Sequence, residues 1–265
     1  MTTNRVLWIV TAALAIVAAA VGIVNPLIYD GVVAERIIPG VFTQDLLALA
    51  AAIVLLVLAV RARRESVKTL VVITGILGFF FYAYGVYAIE QVYTPLYFVY
   101  LAILGLSLFA IVTTLASLDY EVVAAYRLPP LVRIACAVYA IFIAIMFTFI
   151  WTSALIPLIR DGLRKEFTFS IYIIDLSFIM PAMAASGVMA LRKKPLGIVG
   201  VPALFVLGVG ILSPLALAEL LKPALYGLPT IPGELWLYLV LSLVFVGLTA
   251  LYLAAMRLPG AGRRA

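Results

Sequence analysis

The sequence predicts an all-α, polytopic transmembrane helix bundle of about eight spans, built as two parallel four-helix repeats. Three observations carry this. Of 265 residues, 66% are hydrophobic and only 11% charged, whereas soluble globular chains run at about 45–50% and about 25%. Eight apolar stretches are long enough for a bilayer, at roughly 20 residues each. Finally, a short series of charged landmarks recurs later in the chain in the same order.

The stretches follow one another with clear punctuation. The first, 6–24, lies between Arg5 and Pro26. Its Ala18-Ala19-Ala20 resembles a signal-cleavage region, but the run exceeds an ordinary signal core and has a counterpart in span five, so it is expected to be retained. The second, 45–60, runs from Asp45 to Arg61, and the third, 69–89, stops at Glu90. The fourth, 95–117, opens on Pro95. A connector over 119–131 ends in Pro129-Pro130 and leads to the fifth, 132–157, which closes on Pro157. The sixth, 170–191, carries Pro181 and ends at Arg192-Lys193-Lys194. The seventh, 196–221, carries Pro202 and Pro214, and the eighth, 235–256, follows Glu234. None alternates in polarity, so helices are expected and a β-barrel is not.

Lys and Arg set the orientation. With both ends inside, the inner segments hold Arg5, Arg61, Arg63, Arg64, Lys68, Arg127, Arg133, Arg192, Lys193, Lys194, Arg257, Arg263 and Arg264, which leaves only Arg36, Arg160, Arg164, Lys165 and Lys222 outside. The expected location is the cytoplasmic membrane, multi-pass, with the N- and C-termini cytoplasmic. The same rule accounts for the net charge of +6 without a nucleic-acid partner. The partners expected are the lipid bilayer and other membrane subunits or further copies of the chain.

Pro26-Leu27-Ile28-Tyr29-Asp30-Gly31 recurs as Pro157-Leu158-Ile159-Arg160-Asp161-Gly162, with a single difference. Asp45-Leu46 answers Asp175-Leu176, Arg61-Ala62-Arg63-Arg64 answers Arg192-Lys193-Lys194, and Glu90 answers Glu219. Acidic residues number only 12, so matching them in order argues for a duplication, although Pro and Asp-Gly are also ordinary turn formers. Each half has an even number of spans, so the repeats enter from the same side and are related about the membrane normal. The expected units are 1–118, a cytoplasmic connector 119–131, and 132–265 with a short basic tail.

Thr43-Gln44-Asp45-Leu46, the basic turn at Arg61, the tyrosine-rich third span and Thr94-Pro95-Leu96-Tyr97-Phe98-Val99-Tyr100-Leu101-Ala102 resemble an uncharacterised family of prokaryotic multi-pass membrane proteins. Asp175-Leu176-Ser177-Phe178-Ile179-Met180-Pro181, followed by Arg192-Lys193-Lys194-Pro195-Leu196-Gly197, is similar to a later segment of that family. The resemblance implies a shared architecture and supplies no activity, cofactor or site residue.

Candidate chemistry rests on four acids. Asp45 and Asp175 are expected near the outer boundary of spans two and six, with Glu90 and Glu219 at the outer ends of spans three and seven. Asp45 with Glu90, and Asp175 with Glu219, are expected to form two acidic pairs able to hold a cation, a proton or a polar ligand. The competing reading is structural: the aspartates cap helices and Glu219 pairs with Lys222. Asp175 stands out because the residues before it are already mostly apolar. Tyr84 and Tyr100, in an aromatic concentration running from Phe79 to Tyr100, are either belt and packing or the lining of a cavity. Gly208, Gly210 and Pro214 mark a candidate flexible point, since Pro214 withholds a backbone hydrogen bond and Ser213 stands ready to compensate.

With no histidine, one cysteine (Cys136) and neither a phosphate loop nor a Cys-x-x-Cys motif, no catalytic residue, metal site or cofactor is expected. Three functional classes remain. The first is a structural or accessory subunit of a membrane complex, which the scarcity of intramembrane charge favours. The second is a transporter or binder of a small cation, proton or lipophilic molecule. The third is a membrane enzyme acting on lipid or quinone.

Overall fold

The computed structural model of the chain describes residues 2–61, 66–166 and 168–258. Arg63, Arg64, Arg263, Arg264 and most of the expected basic tail lie outside them. Among the described residues, eight helices are long and apolar enough to cross a membrane, and the chain is an integral, multi-pass membrane protein. They are α1 (Thr2–Val24), α2 (Ile38–Arg61), α3 (Val67–Ile89), α4 (Tyr97–Ala116), α5 (Pro130–Asp161), α6 (Ser170–Leu191), α7 (Pro195–Leu221) and α8 (Pro232–Ala255). The connector holds one short helix, Tyr120–Ala125, capped by the Asp119 side chain.

Local chemistry sets the ends. Ser66 accepts from the Thr69 N–H at the start of α3, a side-chain cap. Pro130, Pro195 and Pro232 open α5, α7 and α8, where a missing N–H costs nothing. Gly31 and Gly162 both adopt left-handed backbone, φ 70° and 64°, which glycine tolerates without penalty. Two helices run further than hydropathy suggests. α2 starts at Ile38, so Asp45 lies almost two turns inside it. α5 continues through Pro157 to Asp161, whereas α1 stops at Val24 and Pro26–Tyr29 forms a separate 3-10 turn.

α6 is a single helix with one widened turn over Asp175–Ile179, where the Met180 N–H reaches back to the Asp175 carbonyl. Pro181 explains it. Its ring crowds the carbonyl four residues earlier and supplies no N–H, and a π-type turn relieves both defects.

α3 and α7 are the most buried of the eight helices, and they pack directly on each other at the centre. Glycines permit the approach: a Cβ on Gly75 would lie 2.4 Å from Val206, and one on Gly210 2.6 Å from Phe79. Such close backbone contact holds helices together where lipid offers no hydrophobic drive. Around this pair, α1 packs on α2 and α4, and α3 on α4; in the second half α5 packs on α6, α6 on α7 and α7 on α8. α5 and α8, by contrast, barely touch.

One end of the bundle is tied by basic side chains on helix C-termini. Arg5 donates to the carbonyls of Ala59 and Val60 at the end of α2. Arg133 donates to those of Ala190 and Leu191 at the end of α6. Cations there complement the negative dipole end. Arg127 and Arg257 form an antiparallel backbone bridge at the same end.

Candidate functional site

Asp45 and Asp175 are both buried, with 2% and 7% of their surface exposed, and neither is a helix cap. Asp45 is inside α2 and Asp175 follows five helical residues of α6, so the capping reading fails on helix register. Their surroundings then diverge.

Asp45 is sealed. The Tyr29 hydroxyl donates to Oδ2 at 2.7 Å and the Tyr87 hydroxyl to Oδ1 at 3.4 Å. Burial, then the neighbouring Asp45 carboxylate, holds the Tyr29 phenol well above its ordinary value. Gly22 completes the seal, since a Cβ there would sit 2.0 Å from Asp45 Oδ2 and 2.5 Å from the Tyr29 hydroxyl. Tyr84 and Tyr100 stack around this group: ring centroids lie 5.8 Å apart between them, and 5.9 Å and 5.1 Å from Tyr87. Both are buried in packed protein, with Tyr84 donating to the Ala15 carbonyl and Tyr100 accepting from Thr94. Neither lines a cavity; they are the packing of the sealed site.

Asp175 is open. The Trp151 indole N–H donates to Oδ2 at 2.8 Å, and the carboxylate borders a cavity of about 240 Å³ enclosed by α5, α6, α7, α8 and Tyr82 of α3. Its walls are almost wholly apolar, among them Ile143, Phe147, Ile211, Leu241 and Phe245, with Trp151, Tyr82, Tyr238 and Asp175 contributing the polar atoms. The weak contact between α5 and α8 leaves this cavity room, and Leu237 on its border is half-exposed. A buried carboxylate in apolar surroundings needs hydrogen bonds or a counter-charge. Among the described residues, the two ion pairs are Arg160–Asp161 and Lys222–Glu219, and neither reaches Asp175.

The glutamates do not join the aspartates. Glu90 Oε1 accepts from both the backbone N–H and the hydroxyl of Ser170, 2.8 and 2.6 Å, so it caps α6 from the end of α3. Glu219 pairs with Lys222 and accepts from the Ile231 N–H at 2.9 Å, stapling the loop between α7 and α8. The expected acidic pairs therefore do not form, because each glutamate is consumed by a helix start or a loop.

The candidate flexible point is a contact point. Gly210 is filled by Phe79, and a Cβ on Gly208 would lie 2.9 Å from the Phe245 ring. Gly208 also borders the cavity. The Thr43 hydroxyl donates to the Pro214 carbonyl, while Ser213 pairs with Ser242 and not with its own helix. Trp151 and Tyr82 are the site residues that hydropathy missed. An indole within an apolar run signals nothing by itself, and its value emerges only once α5 lies against Asp175. Comparison with protein-family models, curated proteins and solved structures finds no match.

Proposed function

We propose that this membrane protein binds a small lipophilic molecule, drawn from the bilayer through the thin contact between α5 and α8. The observation that carries the reading is the apolar cavity of about 240 Å³ with one carboxylate in its wall. Ligand sites are mostly apolar hollows with a few placed polar groups, and at about 30 Å³ per water-sized group this one holds a short chain or a single ring. A purely structural subunit would leave both the hollow and Asp175 without use.

The test uses Trp151 as reporter. In nanodiscs, 1-bromooctane quenches tryptophan fluorescence saturably in the wild-type protein; the saturable component is lost in Trp151→Phe and in the cavity-filling Ile211→Tyr. Quenching that rises linearly, and equally in all three proteins, sinks the reading.

Two further readings belong with it. Both chain ends are assigned to the cytoplasmic face, supported by the basic side chains gathered where Arg5 and Arg133 tie the helix ends; tags at the two termini that label from opposite sides contradict this. The halves are read as copies of one four-helix unit. Arg5 on Ala59–Val60 and Arg133 on Ala190–Leu191, the left-handed Gly31 and Gly162, and the packing of first on second and third on fourth helix in each half support the duplication.

A further inference from the structure

We infer that the cavity selects a lipophilic amine in its protonated form, with Asp175 as the counter-ion. This rests on the binding reading above and adds the chemical class of the ligand.

The argument begins with what Asp175 lacks. It is buried, sits within a helix and so caps nothing, and has no basic partner among the described residues. Trp151 satisfies Oδ2, and the Tyr82 hydroxyl is a second neutral partner of the carboxylate. Asp45 likewise has two neutral donors, Tyr29 and Tyr87, which take one oxygen each, and it borders neither of the two cavities described. At Asp175 the carboxylate instead borders a hollow large enough for a ligand. The group that stabilises a carboxylate most strongly in such a place is a hydrogen-bonding cation.

The walls suit that cation. Phe147, Trp151, Tyr82 and Tyr238 border the same space, and aromatic faces attract ammonium groups. The chain already uses this chemistry just outside the cavity. Lys165 lies 4.6 Å from the Tyr172 ring centroid and bonds its hydroxyl, and Tyr172 meets Trp151 edge-on at 5.2 Å. An ammonium that enters between α5 and α8 meets Trp151 and the carboxylate in one wall, while its hydrocarbon part lies against Ile143, Ile211 and Leu241. A neutral ketone has no proton to donate to the carboxylate, an alcohol donates one without neutralising its charge, and a fatty acid places like charges together.

The experiment compares head groups on a constant tail. Octylamine, octanol, 2-octanone and octanoate compete with 1-bromooctane quenching in nanodiscs of zwitterionic, net-neutral phosphatidylcholine at pH 7, which limits surface-charge effects on partitioning. Octylamine is expected to compete at about tenfold lower concentration than octanol or 2-octanone, or better, because it alone brings an opposite charge to the carboxylate; octanoate competes worst. In Asp175→Asn the bromooctane signal persists and the amine loses its advantage, while Asp175→Glu restores part of it. Should octanol or 2-octanone match octylamine in the wild-type protein, the amine proposal falls and the lipophile reading stands. Loss of saturable bromooctane quenching in the wild type ends both. The wild-type series alone decides the matter even if neither variant folds.

Discussion

The two halves of the molecule carry the same acid at the same place in the second helix of each, and only one of them is accessible. The difference traces to a few side chains. Aligned on the Pro-Leu-Ile-x-Asp-Gly turn, the single mismatch sets Tyr29 against Arg160. Tyr29 turns inward onto Asp45; Arg160 points outward and pairs with Asp161. Aligned on Glu90 and Glu219, Tyr87 stands against Ala216 and Tyr82 against Ile211. The first half fills its acid site with Tyr29 and Tyr87; the second half supplies no counterpart of either, and Asp175 takes Trp151 from α5 and Tyr82 from α3 as its neutral partners. What remains beside Asp175 is a hollow. A buried carboxylate thus costs a membrane helix little when neighbouring hydroxyls saturate it, and becomes available to a ligand when they are replaced by shorter or outward-facing groups.

The strongest way to break this comparison is to empty the sealed site. Tyr87→Ala gives the first half the residue that the second half already has at Ala216. Truncating a buried aromatic costs about 3–5 kcal/mol, and the loss of a donor to Asp45 adds to it. Reversible unfolding in mixed micelles should show that decrease; a loss below about 1 kcal/mol would mean that the phenol cluster does not hold Asp45.

Gly22 offers the next test. Gly22→Ala puts a methyl carbon where Asp45 and Tyr29 now sit, and overpacking of this kind costs about 1–3 kcal/mol. The counterpart at the same offset, Ser153, is exposed, and Ser153→Ala should stay within about 0.5 kcal/mol. Equal effects at the two positions would contradict the sealed-versus-open distinction. A smaller pair follows: Tyr29→Phe should cost about 1–3 kcal/mol by leaving one Asp45 oxygen without its donor, and Arg160→Ala should be near neutral because its ion pair is exposed.

The sequence carries the fold more fully than the site. The eight spans follow from hydropathy because each must satisfy its own backbone in lipid, and Asp45 and Asp175 announced themselves as rare acids at matching positions. Helix register was not legible. Reading the second span from its first charged residue placed Asp45 at a helix start, whereas Ile38 to Gln44 are apolar enough, with Pro39 early in the helix, to begin it sooner. Nor could spacing reveal the partners of Glu90, which bonds Ser170 across 80 residues. Tyr84 and Tyr100 were visible as aromatics near a boundary, but whether rings pack or line a space depends on facing side chains. The telling sign lies in the recurring Pro-Leu-Ile-x-Asp-Gly motif, at the one residue in six that fails to match.

Closing the open site is expected to change stability little, and it is the sharpest test of the comparison. Ile211→Tyr copies Tyr82 into the second half, at a position that borders the cavity. The added ring has space to occupy, so the overpacking penalty met at Gly22 does not apply, and its hydroxyl faces a polar wall at Asp175 and Trp151. Stability should therefore move by no more than about 1 kcal/mol, within the range of a tolerated core exchange. Binding should behave differently: octylamine should lose its thermal stabilisation of the protein, because the volume and the carboxylate are both taken. If the variant stays as stable as the wild type and still responds to octylamine, ligand and tyrosine do not compete for one space. The second half would then be closed in some other way, and the asymmetry between Asp45 and Asp175 would have no functional meaning.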